Sequence, residues 1–162
     1  MSRRPSTLAR AFQLGLAAAA ALVRQPLTRA AATRALAALG AALARRRGVR
    51  ASADPRAMAE AWQRAFPSRK HVPIARVDAT TAYAEILTPC PLRGSGDTAA
   101  CWRLMAYDRA FAARAGARFV VLRSQATPGV ERCQVALRAL DLAADDLVPA
   151  HEPDLAAGRP AR

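Results

Sequence analysis

Lysine is nearly absent from this chain of 162 residues, with Lys70 the only one, and aromatic residues make up just 5%. So few rings leave little for the stacking that single-stranded nucleic acid asks of its partners. No apolar run reaches the roughly 20 residues of a membrane-spanning helix; the main one, residues 11–23, has 13. The three cysteines include no close pair, so there is no recognisable zinc motif. Neither histidine, His71 or His151, lies near a cysteine in the chain. The one glycine-rich loop is not followed by Gly-Lys-Ser/Thr, so it is not a phosphate-binding P-loop. The first 50 residues hold no acid at all.

What the chain does hold is a basic N-terminus. Residues 1–50 carry ten arginines, residues 51–138 thirteen basic and seven acidic side chains, and residues 139–162 two arginines and five acids. These contribute +10, +6 and −3 to the net charge of +13. Such a segment attracts phosphate or anionic lipid. It is equally the product of an alanine- and arginine-heavy composition that serves solubility, and net charge alone does not specify nucleic acid. The length suits one domain, which buries about two-thirds of its unfolded surface without staples. An odd number of cysteines in a chain that is not cysteine-dense reads as free thiols in a reducing, cytoplasmic compartment.

Ser2-Arg3-Arg4 ahead of the apolar run has the outline of a secretory or twin-arginine signal. However, Pro5-Ser6-Thr7 lacks the bulky apolar residue expected there, and the apolar pattern continues further. Gln25-Pro26 interrupts it, Thr28 is placed to cap a second helix to about Arg46, and Leu36, Leu39 and Leu43 fall on one face. Residues 7–46 therefore read as an αα-hairpin packed on the domain, with a signal or a membrane-surface anchor as the competing readings.

Asp54-Pro55 opens the next helix, which ends at Phe66-Pro67-Ser68. Residues 72–78 and 82–88 read as strands, residues 89–96 as a loop, and Asp97 caps a long helix to about Ala115. Residues 119–124 and 130–138 form a hairpin around Thr127-Pro128-Gly129. The order predicts an α+β fold: N-terminal helices, then a β-β-α-β-β domain with a four-stranded antiparallel sheet and helices on one face. The organisation is a basic helical hairpin (1–50), an α+β ligand or catalytic domain (51–138) and an acidic, loose tail (139–162).

On the long helix Cys101, Leu104, Met105, Asp108 and Phe111 share a face. Cys101 and Asp108 are separated by about 10 Å along the axis, so both can border one pocket without touching. A carboxylate on an apolar face is costly unless partnered. Asp108 is thus either in a structural salt bridge with an arginine or a ligand-binding or acid–base group. Cys90, between two prolines, is either a small buried side chain or a nucleophile helped by a nearby helix N-terminus. Arg93, Gly94, Ser95 and Gly96 offer a cation and backbone amides to a small carboxylate, although Asp97 occupies the cap itself. Cys133 shares a strand face with Val135 and Leu137 and reads first as core. No metal and no cofactor is expected.

Phe66-Pro67 at a helix end, strands leading into Cys90-Pro91, Cys101 and Asp108 on the next helix, then Gly129 and Cys133-Gln134-Val135 form an ordered set. Over roughly residues 58–137 this resembles the L-2-amino-thiazoline-4-carboxylic acid hydrolase family, and more distantly the 4-vinyl reductase type of small-ligand domain. The resemblance implies hydrolytic opening of a thiazoline ring bearing a carboxylate. Cys90 would attack the amidine-like carbon, or Asp108 would activate water. Arg93 and the amides of residues 94–96 would hold the carboxylate, with Cys101 and Cys133 at the site. The competing expectation is a non-catalytic module that binds or senses a small molecule in an apolar pocket. Nucleic acid is not favoured as a partner, and membrane-surface contact through residues 1–47 is a third expectation.

Overall fold

Apolar residues three and four apart dictate two leading helices. The computed structural model, which describes residues 7–151, has both: α1 (Thr7–Arg24) and α2 (Arg29–Arg46). Ser2-Arg3-Arg4 and the tail beyond His151 lie outside the described residues. Thr28 stands at the start of α2, but its hydroxyl turns back and donates to the Leu22 carbonyl at 2.7 Å, closing the hairpin instead of capping the helix. Gly40 sits directly against the Tyr107 backbone, where any Cβ would overlap the carbonyl oxygen. That close approach fastens α2 to the domain.

Asp54 caps α3 (Pro55–Gln63) as its sequence dictates, accepting the N–H groups of Arg56 at 3.1 Å and Ala57 at 3.3 Å. Strands β1 (Ile74–Val77) and β2 (Thr81–Ile86) turn at Asp78, whose carboxylate accepts the Thr80 and Thr81 amides. With β3 (Ala117–Arg123) and β4 (Cys133–Ala139) they form one antiparallel sheet in the order β1-β2-β4-β3. The inward residues pair in register, Ala84 opposite Val135 and Phe119 opposite Leu137. Over them lie α3 and the helix before β3, which touch each other. Trp62 of α3 is fully buried, with Phe66 and Phe119 around its ring.

Two expectations are corrected. The single helix over residues 97–115 is two: α4 (Thr98–Leu104), capped by Asp97, and α5 (Ala106–Arg114), with Met105 between them at ψ 3°. The halves serve different neighbours, α4 packing on α1 and α5 on α2 and β3. The part of the acidic segment up to His151 is tied back to the domain where the sequence suggests a free tail. Asp146 pairs with Arg138, the Ala150 N–H donates to the Val121 carbonyl at 2.7 Å, and Leu147 is buried. Among the described residues no helix is long and apolar enough to cross a membrane.

Candidate functional site

Between the helical hairpin and the α+β domain lies a cavity of about 460 Å³. Phe12, Leu16, Leu36 and Leu43 roof it, and Ile86, Leu104 and Met105 form much of its floor. Its walls are mostly apolar. The end of β2 brings Thr88 and then Cys90, the start of β4 brings Cys133, the first turn of α5 brings Asp108, and the turn after β3 brings Gln125. Three of the residues singled out in the sequence, Cys90, Asp108 and Cys133, therefore meet at one cavity. Cys101, Arg93, Gly94, Ser95 and Gly96 do not line it.

Asp108 is 7% exposed. Its partner is not an arginine: the Trp62 indole Nε1–H donates to its Oδ1 at 2.9 Å. Burial raises its carboxyl to about 6, with the Trp62 hydrogen bond and the Arg109 cation pulling the other way. It thus changes charge close to neutral pH. Thr88 is 5% exposed, and its hydroxyl has no partner among the described residues.

Gln125 holds the polar side of the cavity together. It is fully buried. Its Nε2 donates to the carbonyls of Ile86 at 3.2 Å and Thr88 at 3.0 Å. Its Oε1 accepts from the Cys90 N–H at 3.1 Å and from Arg93 Nε and Nη2 at 3.0 and 2.8 Å. Sequence reasoning passed over Gln125 and Thr88, because a polar residue beside a turn looks ordinary until its partners are known. The same network corrects the carboxylate-holding role of Arg93 and its loop. Arg93 is committed to Gln125 and the Glu131 carbonyl. The Gly94 and Gly96 amides donate to the carbonyls of Gln125 and Ala126 at 2.8 Å each, and Ser95 N–H donates to Leu92. These donors are spent on the fold.

All three thiols are free. Burial pushes Cys90 up despite the Leu92 N–H on its sulfur at 3.4 Å and the nearby Arg93. Burial also pushes Cys101 up to about 12, against the Ser124 hydroxyl bonded to it at 3.1 Å, and Cys133 up to about 11, against the Gln125 N–H at 3.3 Å. The thiols are therefore protonated at neutral pH, and the loop does not activate Cys90. Among the described residues no three His, Cys, Asp or Glu side chains are grouped to hold a metal ion.

A second cavity of about 480 Å³ lies beside β3, lined by Trp102, Arg109, Arg118, Asp145 and His151 among others. Arg109 stacks on the Trp102 ring at 4.2 Å. His151 is buried with neither ring nitrogen partnered among the described residues, and burial, followed by the Arg109 cation, lowers its pKa. Comparison of the chain with protein-family models, curated proteins and solved structures finds no match.

Proposed function

We propose that this domain binds a small molecule beneath the helical hairpin, with an apolar body against the leucines and a nitrogen-bearing head on Asp108 and Thr88. The observation that carries this reading is a mostly apolar cavity whose lining includes both the buried Asp108 carboxyl and Thr88, whose buried hydroxyl has no partner among the described residues. An unmet buried polar group costs about 1–3 kcal/mol. A ligand that meets it offsets that cost. The cavity volume falls within the roughly 300–1,000 Å³ of small-molecule sites. With its carboxyl near 6, Asp108 is mostly ionised at neutral pH and suits an amidinium or ammonium. Arg47, exposed at the edge of the cavity, suits a carboxylate at the ligand's other end. A cyclic amidine bearing a carboxylate, the substrate class implied by the resemblance to thiazoline-carboxylate hydrolases, has both groups.

Titration calorimetry with 2-amino-thiazoline-4-carboxylate, and with the same ring lacking its carboxylate, tests the reading. Saturable binding is expected, about tenfold weaker in Thr88→Val, which loses one hydrogen bond worth about 1.4 kcal/mol. Thr88→Val itself should fold at least as stably as the parent, because valine needs no partner. Equal binding by the parent, Thr88→Val and Asp108→Asn proteins would sink the proposal.

A second reading, hydrolysis of that ring, is favoured by the position of the Asp108 carboxyl near 6, suited to a general base at neutral pH. Water adds to the amidine carbon and gives its proton to Asp108. The ring C–S bond then breaks as the added hydroxyl closes to a carbonyl; Asp108 returns its proton to the departing sulfur, and the hydroxyl proton of the amidinium adduct is released to solvent. Turnover followed by mass spectrometry should rise through pH 6, vanish in Asp108→Asn and survive Cys90→Ser. Loss of turnover in Cys90→Ser alone would restore cysteine attack.

A further inference from the structure

Helix α1 is apolar on two opposite faces, and only one of them is covered. Phe12, Leu16, Ala20 and Val23 face the domain. Leu14, Ala17, Ala18, Ala21 and Leu22 fall at the spacing of a second stripe and are all exposed, Leu14 by 72%. Leu27, at the tip of the hairpin, is 98% exposed. No charged residue lies between Arg10 and Arg24, although the outer face of a surface helix is ordinarily where charge collects. Every charged side chain in residues 1–50 is an arginine, and the eight within the described residues are all exposed.

We propose that the hairpin docks on an anionic membrane surface. In that arrangement α1 lies in the membrane plane, Leu14, Leu22 and Leu27 enter the boundary between headgroups and acyl chains, and exposed arginines such as Arg10 meet lipid phosphates. The helix is about 27 Å long and lies along the surface without spanning it. A second copy of the chain is the poorer occupant. Face-to-face pairing would bring two arginine sets together with no acid in either hairpin to offset them. Docking leaves the ligand cavity roofed, because α1 is held from its inner side. Arg24 pairs with Asp97 at 3.3 Å, and the buried Arg103 Nε–H donates to the Val23 carbonyl at 2.8 Å.

Co-sedimentation of the full chain with vesicles of phosphatidylcholine alone, or mixed with phosphatidylserine, tests this inference independently of any ligand. Binding is expected on the anionic vesicles and should weaken as salt is raised. A Leu14→Ser/Leu22→Ser/Leu27→Ser variant, whose thermal melt should match the parent because these side chains are exposed, should bind about tenfold more weakly or worse. Failure of the parent to bind anionic vesicles overturns the proposal. So does undiminished binding by the triple variant, which would reduce the effect to charge alone. Self-association that the triple variant abolishes, without vesicle binding, assigns the face to a second copy.

Discussion

Asp108 faces a cavity of about 460 Å³ under the hairpin, and its sequence neighbour Arg109 faces one of about 480 Å³ beside β3. The volumes are nearly equal, and each cavity contains a buried polar group without a partner among the described residues, Thr88 in one and His151 in the other. Their construction differs. Around the first, Gln125 fixes the backbone at Thr88 and Cys90, and the Trp62 indole holds the Asp108 carboxylate. Around the second, His151 sits on an irregular segment that returns to the sheet through the Ala150 amide and the Arg138–Asp146 pair. Volume does not distinguish a site from a gap; the rigidity of the groups lining it does.

The largest expected effect separates the two tryptophans that border these regions. Trp62 is fully buried and bonds Asp108, so Trp62→Ala should cost about 3–5 kcal/mol in urea unfolding. Trp102 is half-buried, and Trp102→Ala should cost clearly less. Equal losses would erase the contrast.

The two cavities should also respond to pH with opposite sign. The Asp108 carboxyl is raised in the folded state, so between about 4 and about 6 the folded chain binds more protons than the unfolded one. Stability therefore falls as pH rises through that window, by a total on the order of 3 kcal/mol. His151 is lowered, so its contribution is present above its ordinary value and is lost as pH falls through the folded one. Urea midpoints across pH 4–8 should show the falling limb flattened in Asp108→Asn and the acid-side loss reduced in His151→Gln. A falling limb unchanged in Asp108→Asn would mean that Asp108 does not titrate in this range.

A smaller effect concerns reactivity. In the native protein Cys101 and Cys133 should resist alkylation until unfolding, and Cys90 should react more slowly than a free cysteine, each followed by peptide mass spectrometry. Rapid labelling of Cys90 would contradict the burial that keeps its thiol protonated. Smallest of all, Asp146→Asn should speed amide exchange over residues 141–150 while leaving ligand binding at the first cavity unchanged.

The fold was legible where signals are local. Asp54-Pro55 starts α3, the hairpin break at Gln25-Pro26 separates α1 from α2, and alternating apolar residues mark the strands of the antiparallel sheet. The break at Met105 was not legible, because neither proline nor glycine marks it and the cause lies in which elements α4 and α5 touch. Cys90 and Asp108 stood out as chemistry in apolar or proline-bound settings. Arg93 and the Gly94 and Gly96 amides looked available because their partners, Gln125 and Ala126, arrive some thirty residues later in the chain. The worth of Gln125 itself depends on the stretch from Ile86 to Arg93 that folds around its side chain.

The strand order has a consequence for how the molecule is made. Among the described strands β4 is the last to leave the ribosome, yet it lies between β2 and β3. A nascent chain that stops short of Cys133 can form the hairpin of α1 and α2 and the β1–β2 ribbon, but it leaves β2 and β3 with open edges and no mutual contact. The sheet closes only when residues 133–139 emerge, and the same event brings Cys133 to the cavity wall. The cavity is thus completed only when β4 emerges, after its roof has already been translated.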